Sequence, residues 1–457
     1  MKLSHLPDDV LFHISLFLEP NAIIHLRKTN KRLHNFTWES TVWRNVHRSS
    51  SSFLPPFQST EAFHRLVARA EPLEKAWEHR ARLRKVAHRI PYNTALGQRP
   101  LVRLLQHGRF LLLGQEKSMS LYDLERNDGD QPVFAITDLE AKFSYAQNQI
   151  NTTLLTDDIY IPTFISKESS RSLVIWQLQP SGSGSDVRRV ADISLPFSRE
   201  QFTNLLVSNG VIIFDTDVDK SVVYRVATRT FYRFPQRGNS ESPWNVYQNH
   251  TIEHIADLNT ILVVHTNDQP VGLPLVEVFT FPANLSDELL VQTHAWECPR
   301  YFTEPRFIAF SHEQSPTDSP SLRVSLAAIF HGMGHDGPTV PSAVRPFQLT
   351  FHADGTTTPD FLRFLTPPPG TSAALNGLVV TSDGVNRARA IAVSPSISGD
   401  PNSHGNAVLY DIDLRTEQAI KIVGLVPTGQ CGQTSFDGFR GRFCIESAGS
   451  IKVMDAF

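Results

Sequence analysis

Three clusters in this chain hold side chains of the types that bind metals or act as nucleophiles. His331-Gly332-Met333-Gly334-His335-Asp336 sets two histidines four residues apart beside a carboxylate. On a helix that spacing turns both imidazoles to one face, where a divalent metal could bind. The glycines between them disfavour a helix, so a glycine-rich surface loop with solvated histidines is the stronger reading. Asp215, Asp217 and Asp219 alternate, which on an extended segment puts three carboxylates on one side, a pattern open to Ca²⁺; a bare turn between strands produces the same run more often. The three cysteines, Cys298, Cys431 and Cys444, are neither paired by spacing nor set in a nucleophile signature. No catalytic residue, metal site or cofactor is assigned.

The more informative residues are apolar, and they lie in the first 46 positions. Leu6-Pro7-Asp8-Asp9-Val10-Leu11 is followed by Ile14, Phe17, Leu18 and Pro20, then by Ile24-His25-Leu26-Arg27, and finally by Val42-Trp43-Arg44. Pro7 suits the opening of a helix because its missing N–H would be unpaired there anyway, and Asp8 and Asp9 favour the positive end of the helix dipole. Val10, Leu11, Ile14, Phe17 and Leu18 then form one apolar stripe, which Pro20 is expected to stop. Three such helices in about 40 residues present more apolar surface than they can bury among themselves, so the surplus calls for a partner.

This segment resembles an F-box, in register from Leu6-Pro7 to Trp43-Arg44 and without an insertion. The resemblance implies that Leu6, Pro7, Val10, Leu11, Ile14, Phe17, Leu18, Pro20, Ile24 and Leu26 form the surface that meets the Skp-type adaptor of a cullin-RING ubiquitin ligase. It also implies that Trp43 closes the module's own core. One departure is the polar pair Thr29-Asn30, where the family usually has an apolar residue followed by Ser or Cys; the pair is expected to loosen the junction of the second and third helices.

Length points to two or three units for 457 residues, and 40% hydrophobic content with 29 Phe indicates that most of the chain is globular. No run of 18 apolar residues and no signal segment occurs, which together with the cysteine usage points to an intracellular protein, cytoplasmic and/or nuclear. A net charge of -3 gives no reason to expect nucleic-acid or membrane binding. Ser49 to Ser52 and Pro55-Pro56 read as a joint. Ser59 to Ile90 is rich in helix formers, with a packing stripe of Phe63, Leu66, Leu73, Trp77 and Val86 beneath an excess of basic residues. Its most economical role is a helical spacer.

From about residue 100 the pattern changes to short apolar runs bounded by Gly, Pro, Asn, Asp and Ser. A strand ending recurs, with an aromatic at Tyr122, Trp176, Tyr224, Phe279, Phe347 and Tyr410 and with Met454 in the last copy, at intervals of 44 to 68 residues. Three or four strands per repeat with no helix between them fit a β-propeller of six or seven blades, seven being preferred. The endings resemble the third strand of WD-type repeats, although the Trp-Asp dipeptide is absent. The last repeat is one strand short, and residues near His88 to Leu96 are the candidate to complete it. The fold class expected is therefore α+β and multidomain: an all-α F-box at 1–48, a helical linker at 49–99 and an all-β, WD-like propeller at 100–457.

Two functions from different classes are consistent with this layout. In the first, the chain is a non-catalytic substrate receptor of a Skp-cullin-F-box ligase, its propeller holding a target protein. In the second, the propeller is an enzyme or scaffold that carries an F-box for regulation. The second needs convergent carboxylates, and no Asp or Glu recurs at a fixed repeat position. The chain has 11 Lys against 32 Arg and no lysine between Lys220 and Lys421. Arginine suits bidentate bonds to phosphate or carboxylate, so an acidic or phosphorylated target is one reading of this excess, and arginines that merely solvate the outer strands are the other.

Overall fold

The computed structural model describes residues 3–39, 41–43, 53, 73–75, 77 and 85–92, and from 100 to 455 the strands of seven sheets with the turns next to them. The metal-type clusters of the sequence fall largely outside the described residues: the side chains of Asp215 and His331, and the whole of Asp217, Asp219, His335, Asp336 and Cys431.

Helix α1 (Asp8–Ser15) begins directly after Pro7, with Asp8 and Asp9 in its first turn. It ends before its apolar stripe does, because Leu16, Phe17 and Leu18 turn back in tightened bonds to the carbonyls of His13, Ile14 and Ser15. Pro20 was expected to stop this helix. Instead it opens the next one, α2 (Pro20–Arg27), where a missing N–H costs nothing. The Thr29-Asn30 pair does not loosen the next junction. Thr29 bonds back to the Leu26 carbonyl at 2.7 Å, and the Asn30 side chain caps α3 (Lys31–Phe36) by accepting from the Leu33 N–H at 2.9 Å. Leu11, Ile23, Ile24, Leu33, Phe36, Val42 and Trp43 make the module's core.

Each of the seven sheets has four antiparallel strands. Blades 1 to 6 span 101–137, 142–195, 205–233, 249–297, 302–360 and 377–429, each a meander whose strands follow chain order. Blade 7 joins three C-terminal strands, between 434 and 455, to strand Lys85–Pro91 from before blade 1. All seven recurring residues, from Tyr122 to Met454, lie on the third strand of their blades. The recurrence was a blade signal because a third strand is flanked on both sides and must carry apolar residues on both faces.

The blades pack in a closed ring. Leu104 of blade 1 packs with Ile451 of blade 7, and Leu112 with Ile161 of blade 2. Leu173 meets Phe214, and Ile213 meets Phe279. Val264 meets Phe347, Ile329 meets Ala390, and Ile391 meets Phe443, which returns to blade 7. First strands of neighbouring blades lie against one another, so the first strand is the innermost.

The helical reading of Ser59 to Ile90 fails at its end. Residues 73–75 and 77 are helical, but Lys85–Pro91 is a strand that pairs with Ser450–Asp455. Blade 7 therefore includes residues that the sequence had assigned to the linker. The physical reason is tertiary: Ile90 fills an apolar site beside Cys444, Ile451 and Val453, and the last sheet has no other fourth strand. Polar contacts reinforce this closure. Arg442 holds Asp455 through two bonds of 2.6 and 3.0 Å and donates to the Gly108 carbonyl of blade 1 at 2.7 Å. Arg440 of blade 7 pairs with Glu125 of blade 1.

Two outcomes follow from the closure. Ile90→Ala removes a fully buried side chain from the closing strand and is expected to cost about 2–4 kcal/mol of stability, read as a lowered thermal midpoint. Asp437, at the end of blade 7's first strand, has its carboxyl pushed up to about 6, chiefly by burial. A carboxyl raised above its unfolded value opposes folding once ionised, so its penalty is full above pH 6 and falls away as the pH drops toward about 4. Asp437→Asn is expected to raise the thermal midpoint at pH 8, with the gain shrinking between pH 6 and pH 4 in parallel melts.

Candidate functional site

The residues expected to dock an adaptor divide into three groups. Pro7, Val10 and Phe17 are exposed, and Phe17 is 86% exposed. Leu6, Ile14, Leu18, Pro20 and Leu26 are half-buried, with Leu6, Leu18 and Leu26 packed against the module's core. Leu11 and Ile24 are inside that core, so they support the surface from beneath and cannot themselves meet a partner without unfolding the module. Trp43 is buried, and its Nε1 donates to the Thr37 carbonyl at 2.7 Å.

Pro7, Val10, Ile14 and Phe17 follow one another at spacings of three and four, which keeps them on one side of α1 and the turn after it. An apolar row left facing water is a mark of an interaction surface. Arg32 of α3 holds the segment before α1 in place, bonding the Ser4 and Leu6 carbonyls at 2.7 Å each and Asp8 at 2.9 Å. Leu3 and Trp38 are also exposed apolar residues, and neither was among the residues expected to bind. Trp38 is fixed by the Arg27 guanidinium, 3.8 Å above its ring, and by stacking on His34. Its position outside the family's apolar pattern left no sequence signal for it.

The ring holds a second feature. Arg103 lies on the innermost strand of blade 1 and Arg306 on that of blade 5. Arg103 donates to the Val102 carbonyl at 3.0 Å, and Arg306 to the Leu378 carbonyl of blade 6 at 3.1 Å. Loss of water around Arg103, and then the charge of Arg306, pull its guanidinium down to about 10. Two like charges on inner strands in a desolvated setting favour an anion.

Among the described residues, no group of three His, Cys, Asp or Glu side chains is placed to hold a metal ion. Cys298 and Cys444 are buried, and burial pushes both thiols well above their usual range, which keeps them protonated and inert. No described helix is long and apolar enough to cross a membrane.

Residues 3–49 match the F-box-like family, so the N-terminal module is an F-box-like domain, followed here by an all-β propeller of seven sheets. No curated protein matches the chain in sequence. Among solved structures, the chain is similar to the WD40 domain of SCAP from fission yeast, with a TM-score of 0.37 and 11% identity over 78% of this chain and 84% of that one. It is also similar to the hydrazine synthase of Kuenenia stuttgartiensis, with a TM-score of 0.40 and 9% identity over 78% and 95% of the two chains. A third is the hypothetical selenium-binding protein of Sulfolobus tokodaii, with a TM-score of 0.40 and 8% identity over 78% and 84%. The seven-bladed fold rests on sheet order and blade packing.

The division of the F-box-like surface is measurable. Phe17→Ala is expected to change stability by less than about 0.5 kcal/mol, whereas Leu11→Ala is expected to cost about 2–5 kcal/mol in the same module, as read by helical circular dichroism on denaturation.

Proposed function

We propose that this chain is the substrate-receptor subunit of a Skp-cullin-F-box ubiquitin ligase. The observation that carries the reading is the apolar row of exposed Pro7, Val10 and Phe17 with half-buried Ile14 on an F-box-like domain fused to a propeller. The row docks the Skp-type adaptor, and through it a cullin-RING ligase, with Leu6, Leu18, Pro20 and Leu26 at its margin and Leu11 and Ile24 beneath it. The propeller binds a target protein. The subunit does no chemistry of its own. It contributes proximity, raising the effective concentration of target lysines beside a ubiquitin-charged enzyme.

The target carries acidic or phosphorylated groups. Arg103 and Arg306 on the inner strands of blades 1 and 5 support this reading, because guanidinium groups suit charge-assisted bonds to phosphate or carboxylate. A receptor of such a ligase would work in the cytoplasm and/or nucleus.

Val10→Glu and Phe17→Glu, alone and together, are expected to abolish co-purification of the Skp-type adaptor, since a carboxylate would lose its hydration inside an apolar contact. Both residues are exposed, so the helical signal and thermal midpoint should not change. Undiminished adaptor recovery with the double variant would falsify the receptor reading.

A further inference from the structure

Arg389 lies on the second strand of blade 6 and is 0% exposed, yet much of what covers it comes from outside the blades. Its Nη2 donates to Glu74 Oε1 at 2.7 Å and its Nη1 to the Gly438 carbonyl of blade 7 at 2.9 Å. The guanidinium lies 4.7 Å from the Phe53 ring centroid and 4.5 Å from that of Trp77. The Phe53 N–H donates to the same Glu74 oxygen at 2.9 Å, and the Phe53 ring stacks on Phe439 at 4.6 Å. Arg387 lies 3.5 Å from the other Glu74 oxygen and 3.4 Å from Asp411. Leu73 and Trp77 pack into the core between blades 6 and 7. Phe53, Leu73, Glu74 and Trp77 all belong to the segment that joins the F-box-like domain to the ring.

The joint is built for direction more than for strength. A buried guanidinium and carboxylate recover in attraction roughly what they lose in hydration, whereas a misplaced carboxylate would leave Arg389 charged and unmatched. Burial does lower the Arg389 guanidinium, while Glu74 opposes that shift. The Nε of Arg389 and the Nε1 of Trp77 find no hydrogen bond in the joint, which limits its net gain further. Position is controlled closely: a Cβ at Gly438 would lie 2.7 Å from the Arg389 Cβ, so only glycine lets blade 7 approach. Phe53 follows Trp43 by ten residues, a tether of at most about 35 Å when fully extended.

We propose that Arg389 is a positioning residue that reads the Glu74 carboxylate within a cage of Phe53 and Trp77, and so sets the direction of the F-box-like domain relative to the propeller. The consequence for ubiquitin transfer rests on the receptor reading above; the joint itself does not. The joint sits at the ends of blades 6 and 7 that carry the turns between their first and second strands, as shown by Thr381 bonding the Gly438 N–H at 2.9 Å. That end of the ring is thereby committed to the linker.

The test places dyes on cysteines introduced at the exposed positions Asn35 and Thr228, in the full chain with Cys431 replaced by Ser, and reads the distance between them by single-molecule energy transfer. Glu74→Gln keeps the side chain's shape but leaves a buried guanidinium unmatched, so it is expected to lower the propeller's melting midpoint, and the distance is read well below that midpoint, where the ring stays folded. Both Glu74→Gln and Arg389→Met are expected to broaden a narrow distance distribution at least twofold. In the reconstituted ligase, both should lower transfer to a captured target severalfold while target capture and adaptor recovery stay at the wild-type level. An unchanged width in Glu74→Gln overturns the proposal, and a broadened width with wild-type transfer overturns its consequence for ubiquitin transfer. The distance is read in the free chain, so failure of the receptor reading would leave the joint's own result standing.

Discussion

Among the described residues, the apolar faces of the sheets in the ring are covered chiefly by neighbouring blades, so each blade depends on a neighbour on both sides. Closure is the constraint on which the rest depends. An open array would leave the outer face of blade 1 and that of blade 7 in water, along with the residues that now pack between them, such as Leu104 against Ile451 and Val453. The chain meets this constraint by returning to its beginning: Lys85–Pro91 completes blade 7 before blade 1 has started. Long-range pairing of this kind has a high loop-closure cost and is repaid only once the ring is complete.

Closure also determines how the two functional parts are connected. The final strand of the ring comes from the N-terminal side, and described residues of the segment before it are anchored at blades 6 and 7. Leu73 and Trp77 are buried there against Ile391, Phe436 and Phe443. The linker is thus part of the propeller's packing over at least some of its length, and the ions around Arg389 and Arg442 lie on the two sides of blade 7 that meet blades 6 and 1. Charged groups in these places contribute geometry more than net stability, since their desolvation offsets most of their attraction.

The F-box-like domain follows a different rule. Its core of seven buried residues is small, and Pro7, Val10 and Phe17 of its outer row are left in water beside half-buried Ile14. Among the described residues the ring also exposes apolar groups, Phe231, Leu289 and Val291, but they lie outside its interblade cores, whereas the module's exposed groups sit directly over its small core.

The sequence by itself determined the F-box-like segment, because its apolar spacing and its Pro7, Asp8 and Asp9 signals are local and act within one or two helical turns. It also pointed to six or seven blades, seven preferred, because each third strand must be apolar on both faces wherever it lies, and that requirement repeats from Tyr122 to Met454. The strand that closes the ring was legible as a shortage with His88 to Leu96 as its candidate, while the residues up to Ile90 also read as helix; the strand found, Lys85–Pro91, overlaps both readings. Only the tertiary structure decided that Lys85–Pro91 is a strand, that Leu11 and Ile24 point inward while Phe17 points out, and that Glu74 meets Arg389 across 315 positions. Burial and pairing of this kind depend on which distant groups share a place in space, and no local pattern of residues carries that information.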